Sequence, residues 1–318
     1  MTLKILVTGG AGFIGSHVCD VLLEKDYTVI CVDNFNDYYD PKRKRKNIAH
    51  NLNNNSFILE ELDIENFNLL KTIFEKHNPD KIIHLAARAG VRPSLENPHI
   101  YETTNIKGTL NLLELSKEYS IKNFIFGSSS SVYARNKKVP FSEDDNTDKA
   151  ISPYAATKKA CEIICYTYSY LYELNISVLR FFTVYGPRGR PDMAPYIFTK
   201  LISEGKPITM FGDGTSKRDY TYVSDIVSGI IFALEKNFRY EIFNLGNSDT
   251  IELKKLIETI ESSLSKKAEI IKKEMPKADV PLTYADISKA KELLSYNPKT
   301  KIEEGIKHFV SWYKEEYN

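Results

Sequence analysis

The stretch ILVTGGAGFIGSH, residues 5–17, constrains the fold more than any other part of the chain. An apolar strand runs into Thr8, glycines follow at positions 9, 12 and 15, and a helical pattern starts within the turn. A strand that hands over to a helix so abruptly belongs to a crossover unit, which returns the chain to a parallel neighbour. The rhythm continues through YTVICVD, SFILEEL, KIIHLAA, NFIFGSS and ISVLRFF. Helical patterns separate these runs at His17 to Lys25, Leu69 to His77, Asn105 to Tyr119 and Tyr154 to Leu174. Continuous apolar strands alternating with helices predict an α/β fold, a doubly wound parallel sheet with both faces covered.

After Thr183 the alternation breaks. Glycine and proline become frequent (YGPRGRP, EGKP, FGDGT), and helices dominate from Leu253 onward. The reading is a Rossmann-type domain over residues 1–184 and a smaller mixed α/β substrate-binding domain over 185–318. A later segment, about 220–246 and including EIFNLG, is expected to return to the main sheet.

The 318 residues carry 43 Lys+Arg against 42 Asp+Glu, a net charge of +1, which offers no basic excess for tracking a nucleic-acid backbone. The KRKRK run at 42–46 follows Pro41 and reads as the solvated face of a helix start. Cys19, Cys31, Cys161 and Cys165 form no CxxC pair; Cys161 and Cys165 lie four apart on a helix, a spacing open to a metal or redox pair, but all four read as buried free thiols in a reducing compartment and no metal is expected. No apolar run is long enough to span a bilayer, and the chain enters a strand at Leu3 without a charged-then-apolar leader. A cytoplasmic protein without membrane contact is expected.

The glycines have a chemical use. They allow a tight turn and a close approach of backbone to a pyrophosphate, while the helix N-terminus supplies N–H donors and partial positive charge. Asp33 closes the second strand 18 residues beyond Gly15, where a carboxylate accepts both ribose hydroxyls of an adenosine and repels a 2′-phosphate. The cofactor is therefore expected to be NAD. Besides Gly9, Gly12, Gly15 and Asp33, the expected contacts are Phe13, Ile14, Asn34, Asp63, Ile64, Leu85, Ala86, Ala87 and Phe181. Asp63 and Ile64 would lie near the adenine, and His84 is read as a satisfied core histidine.

The second constellation is SPYAATKKA, where Tyr154 and Lys158 share one helix face a turn apart. A free tyrosine has a pKa near ~10. An ammonium nearby favours phenolate and lowers that value by ~1–3 units, which would make Tyr154 a proton shuttle for a substrate hydroxyl. Ser128, Ser129, Ser130 and Ser131 end the fifth strand, at the carboxyl edge where open α/β sheets bind ligands.

With TGxxGxxG, the acid after the second strand, the serine run, YxxxK and FGDGTSKRDYTYVSDI, the chain resembles the extended short-chain dehydrogenase/reductase family, and within it the nucleotide-sugar 4-epimerases. The resemblance implies Ser129, Tyr154 and Lys158 as the catalytic set, with Tyr154 and Lys158 also touching the cofactor. It implies Asn105 on the helix beside the site and Arg218 on the substrate diphosphate.

FFTVYGPRGRPDMA, DNFNDYYDP and AGVRPSLENP look like the subgroup that epimerises UDP-glucuronate. That likeness implies Thr183 and Arg190 on the sugar carboxylate, helped by Ser130 or Ser131, with Arg188 open to phosphate or structure and Arg92 a weaker candidate for the same carboxylate. Asp279 is implied on the uridine ribose. The family often reads Arg/Gln-Pro-Gly-Asp there, whereas this chain has Pro276, Lys277, Ala278 and Asp279. Arg88 replaces a glutamine common in related chains.

UDP-glucose/UDP-galactose epimerisation is the alternative activity, and an idle dinucleotide-binding sensor the alternative of another class. A 4,6-dehydratase is disfavoured because Ser130 and Ser131 stand where its acid pair would be. Family members pair helices such as Asn105–Tyr119 and Tyr154–Leu174 into a four-helix bundle, which implies a homodimer.

Overall fold

The computed structural model describes residues 2–134, 136–274 and 280–317. β1 (Lys4–Thr8) leads through the glycine turn into α1 (Phe13–Glu24) and β2 (Thr28–Asp33). α2 (Pro41–Ile48), β3 (Phe57–Glu61), α3 (Phe67–His77) and β4 (Lys81–His84) follow. Two short helices, α4 (Val91–Glu96) and α5 (Pro98–Tyr101), pass through a π-helical stretch into α6 (Gly108–Glu118). Then come β5 (Asn123–Ser129), α7 (Pro153–Tyr172) and β6 (Ile176–Phe181).

Beyond Phe182 the elements are shorter: β7 (Thr183–Tyr185), α8 (Ala194–Ser203), β8 (Ile208–Phe211), β9 (Lys217–Arg218), β10 (Tyr220–Tyr222) and α9 (Val223–Glu235). The chain ends with β11 (Tyr240–Leu245), β12 (Ile251–Glu252), α10 (Leu253–Leu264), β13 (Ile270–Lys273), α11 (Ser288–Leu294) and α12 (Ile302–Tyr317).

Seven strands form one parallel sheet in the order β11-β6-β5-β4-β1-β2-β3. The chain leaves β1 for β2 on one side and returns as β4 on the other, so the crevice between β1 and β4 is the switch point at the carboxyl edge. All seven residues of β5 are buried, as a central strand covered on both faces requires. One layer beside the sheet packs Val18, Cys19 and Leu22 of α1 with Ile226 and Ile230 of α9, and with Ala290 and Leu294 of α11. The other packs Leu70 and Phe74 of α3 with Leu112 of α6 and Cys161 and Cys165 of α7. All four cysteines are buried and free.

A third core joins Tyr196 and Phe198 of α8, Leu256 and Ile260 of α10, and Ile306 and Phe309 of α12. β11 pairs with β6 as the edge of the main sheet, Phe243 beside Leu179. α11 also packs on the main sheet, which the polar spacing of its residues does not announce. Helices dominate the tail from Leu253, as expected, with one short strand among them. β13 pairs in parallel with β8, although all four of its residues are exposed and two are lysines.

The basic run is a correction. α2 starts at Pro41, as expected, and Asp40 is its N-cap, but Lys44 is buried and its ammonium is held by the carbonyl and side chain of Asn36 at 3.0 Å each. Arg43 lies over the Tyr196 ring at 4.4 Å, Arg45 pairs with Glu61, and Lys46 with Glu316. The run straps the cofactor side of the sheet to the last helix because each cation faces a different neighbour.

His84 is a core histidine, 1% exposed, between the Thr8 hydroxyl at 2.7 Å and the Thr109 hydroxyl at 2.9 Å. Burial, helped by the Lys158 charge, holds its pKa down at about 3. The unfolded chain takes up this proton below about 6.5 and the native chain does not, so His84 makes stability fall as pH drops from 6.5 towards 3. Asp219, pushed up to about 6 by burial, works with the opposite sign, so a variant comparison is needed to isolate His84. Urea unfolding between pH 6.5 and 5 should show wild type losing about 1.1 kcal/mol more per pH unit than His84→Gln. Equal slopes in the two proteins would contradict the assignment.

Candidate active site

Gly9 adopts φ +69° and its N–H reaches the Val32 carbonyl at 2.8 Å, which turns the chain away from β1. A Cβ on Gly15 would stand 2.1 Å from the Gly9 carbonyl oxygen, so α1 can begin this close to the turn only with glycine there. Gly12 caps α1 without a side-chain acceptor, leaving the N–H groups of the first turn to a ligand. At the end of β2, Asp33 accepts from the Ala11 N–H at 3.2 Å and the Phe35 N–H at 2.9 Å, so its carboxylate is fixed in direction. Burial raises its pKa, and the Lys44 charge and the two N–H groups oppose that rise. Asn34 donates to Asp63 at 2.7 Å, joining the ends of two strands. A turn that no side chain can enter, a helix N-terminus and an anchored carboxylate fit the pyrophosphate and adenosine ribose of NAD.

These residues line one end of a cavity of about 430 Å³. Its wall includes the expected Gly9, Gly12, Phe13, Ile14, Gly15, Asp33, Asn34, Asp63, Ile64, Leu85, Ala86, Ala87 and Phe181. At the far end it takes in Ser128 to Ser131, Tyr154, Lys158, Thr183 and Arg190. Sequence reasoning missed Asn36, Tyr38, Lys44 and Met193, which also line it. Asn36, Tyr38 and Met193 lie in stretches that carry the resemblance, but no spacing singles any of the four out, since they reach the cavity through tertiary folding of the 34–48 segment and the 186–193 loop.

α7 enters at Ser152, whose hydroxyl accepts the Ala155 N–H at 3.2 Å, with Pro153 in the first turn. Tyr154 and Lys158 then project to the cavity one turn apart. The electrostatics differ from the expectation. Burial raises the Tyr154 pKa, and the groups that oppose this are Ser129 and Arg190, not Lys158. The Lys158 ammonium donates to the Gly127 carbonyl at 2.7 Å, and its pKa is pushed down to about 8, chiefly by burial. Near neutral pH it still carries charge, but its hydrogen bond is to the strand.

The four serines divide. Ser128 donates to buried Glu162 at 2.7 Å and belongs to the framework. Ser129 accepts the Ser131 N–H at 3.2 Å and is the hydroxyl beside Tyr154. Glu162 also takes two bonds from Arg180 of β6, at 2.9 and 2.8 Å, with both side chains at most 2% exposed. Arg180 continues to the Tyr133 hydroxyl at 2.9 Å, and Tyr133 donates to Asn244 of β11 at 2.6 Å. The signal was available: Glu162 lies four residues beyond Lys158 on the same helix, and Arg180 is the one charge inside ISVLRFF.

Other expected residues fall elsewhere. Asn105, expected beside the cofactor, is 1% exposed and absent from the cavity wall. Its carboxamide binds the Arg88 N–H at 2.8 Å and the Arg88 carbonyl at 3.1 Å, so it braces the loop after β4. Arg218 sits on β9, outside the cavity wall. Asp279 and its neighbours Pro276, Lys277 and Ala278 lie outside the described residues. Arg188 donates to Asp20 at 2.6 Å and ties its loop to α1. Arg92 stacks its guanidinium on Phe211 at 4.6 Å.

The chain belongs to the NAD dependent epimerase/dehydratase family, whose model matches residues 5–246. A UDP-glucuronate 4-epimerase of Thermodesulfobacterium geofontis is 51% identical over 98% of this chain and 96% of its own length. The UDP-glucuronic acid 4-epimerase of Bacillus cereus, solved with UDP-glucuronic acid and NAD, superposes with TM-score 0.94 at 38% identity, covering 99% of this chain and all of that one. A UDP-glucose 4-epimerase of Thermotoga maritima, solved with UDP-glucose, gives TM-score 0.92 at 38% identity over the same shares. No helix among the described residues is long and apolar enough to cross a membrane.

Replacing Glu162 by Gln keeps its shape but leaves the Arg180 charge buried and uncompensated. Urea unfolding should show a loss of about 3 kcal/mol. A change below about 0.5 kcal/mol, the size of a surface effect, would mean that the pair does not hold α7 to the sheet.

Proposed function

We propose that the protein is a UDP-glucuronate 4-epimerase, interconverting UDP-glucuronate and UDP-galacturonate with tightly held NAD. The observation that carries the reading is Arg190 and Thr183 in one cavity with Tyr154 and Ser129, a cation and a hydroxyl facing a proton-transfer pair. The identity to the T. geofontis enzyme supports it.

Tyr154 accepts the proton of the sugar 4-hydroxyl and returns it in the reverse half of the cycle. Ser129 donates to the 4-oxygen as charge develops there. Lys158, anchored on Gly127, would turn its remaining donors to the cofactor ribose. Bound NAD supplies the reversible oxidation of C4, and because it is restored in each turnover no outside redox partner is needed. Thr183, Arg190 and Ser130 or Ser131 hold the sugar carboxylate. In the oxidised sugar this group is β to a ketone and leaves as CO₂ if its bond aligns with the carbonyl π system. A bidentate arginine restrains that rotation.

Residues 1–184, with the segment around 220–246, carry the cofactor, and the rest of 185–318 mainly binds the UDP-sugar. Arg218 grips the diphosphate and Asp279 the uridine ribose. The active form is a homodimer. α7 exposes Ile163, Tyr166, Tyr170 and Leu171 on its outer face, Tyr170 at 71%, beside Leu110 of α6, and a second copy would bury these in a four-helix bundle. Four buried free cysteines suit the cytoplasm.

The purified protein incubated with UDP-glucuronate alone, followed by proton NMR, should yield UDP-galacturonate without UDP-pentose. Tyr154→Phe should lower kcat by about a hundredfold or more. Arg190→Ala should weaken turnover of the uronate. Turnover of UDP-glucose with none of UDP-glucuronate would overturn the carboxylate reading.

Light scattering should give twice the chain mass, and Tyr170→Glu with Leu171→Glu should give the single-chain mass. A wild-type protein of single-chain mass would refute the dimer.

A further inference from the structure

The Arg190 fork is already half occupied. Its Nε donates to Asp192 Oδ1 at 2.9 Å and its Nη2 to Asp192 Oδ2 at 2.5 Å, a side-on bidentate pair. The Tyr38 hydroxyl donates to the same Asp192 oxygen at 3.1 Å and lies 3.5 Å from Arg190 Nη2. The Tyr38 ring stands 5.4 Å from the Arg190 guanidinium carbon. Arg190 and Tyr38 line the cavity and Asp192 does not. The carboxylate therefore takes one edge of the guanidinium from behind, and the Nη1 edge remains for a ligand.

Tyr38 is itself held. Asn34 Oδ1 accepts the Asn36 N–H at 3.1 Å, and Asn36 Oδ1 accepts the Tyr38 N–H at 3.1 Å, two successive side-chain turns leading from Asp33. The Lys44 ammonium fixes the Asn36 carbonyl. A Cβ on Gly90 would stand 2.7 Å from the Tyr38 hydroxyl, so the glycine makes room for the phenol. A rigid support on one side and a bidentate acid on the other leave the fork little freedom to tilt.

We propose that Asp192 and Tyr38 are positioning residues that set the tilt of the Arg190 fork, and through it the angle at which the substrate's carboxylate is held. The proposal rests on the reading of the protein as a uronate epimerase and adds to it what keeps that reaction clean. Oxidation at C4 yields the 4-keto uronate with NADH and one proton. If the carboxylate then rotates into line, the bond from C5 to the carboxyl carbon breaks and its electron pair becomes the enolate. The released proton returns to C5, and the products are CO₂ and a UDP-4-keto-pentose, with the hydride left on the cofactor as NADH. Asp192 and Tyr38 suppress this leak without touching the sugar.

The purified wild type, Asp192→Asn and Tyr38→Phe are each given UDP-glucuronate labelled with ¹³C in the carboxyl group. UDP-galacturonate and ¹³CO₂ are both measured. Asp192→Asn should raise the CO₂ released per epimerisation by about tenfold or more, a change of about 1.4 kcal/mol between two competing steps. Its KM for the uronate should not rise, because the charge removed is one that repels the substrate's own. Tyr38→Phe keeps the ring and loses the hydroxyl, and should leak to a smaller but measurable degree.

Slower but clean epimerisation by both variants would overturn the proposal and leave the activity intact. So would a KM raised tenfold without CO₂, since Asp192 would then serve affinity alone. A wild type that forms no UDP-galacturonate would instead remove the underlying reading, and the proposal with it.

Discussion

A buried carboxylate–guanidinium pair is the point on which the site turns. Glu162 of α7 and Arg180 of β6 meet through two hydrogen bonds in the interior of the protein. Two opposite charges out of water are tolerable only with each other and with further polar partners. Ser128 and Tyr133 supply those partners, Asn244 accepts from Tyr133 in turn, and each of the three comes from a different part of the chain. The pair thus fixes the rotation of α7 against the sheet, and Tyr154 and Lys158 inherit their direction from it.

The same logic governs the cofactor end, with backbone in place of charge. Gly15 lets α1 start against the Gly9 carbonyl, and Asp33 is aimed by two main-chain N–H groups. Neither residue has rotational freedom left to lose when a ligand arrives, which favours tight retention. α2 adds a mechanical link, because Arg43 and Lys46 reach the helices that close the second lobe.

Much of this was legible in the sequence. The strand–helix rhythm, the glycine turn and the Tyr-Lys spacing depend on short-range periodicity, which one chain displays by itself. The rest depends on which residues meet across the fold. Lys44 reads as a solvated charge until Asn36 and Asp33 are seen beside it. Asn105 lies on the right helix but turns to main chain. The IIKK of β13 has no apolar alternation, and it forms a strand because β8 offers an open edge. Glu162 and Arg180 are each unexceptional until paired.

The bracing of the β4 loop by Asn105 has a consequence for divergence. Because the carboxamide grips both main-chain groups of residue 88, the cavity wall there is held by atoms that every amino acid except proline possesses. The side chain at 88 is therefore not needed to brace the loop, and its guanidinium turns instead to the Tyr38 ring at 5.9 Å and to Asp37 at 3.9 Å. Arginine can stand at this position with no loosening of the wall. Evolution can retune the chemistry of that rim one residue at a time while the scaffold stays unchanged.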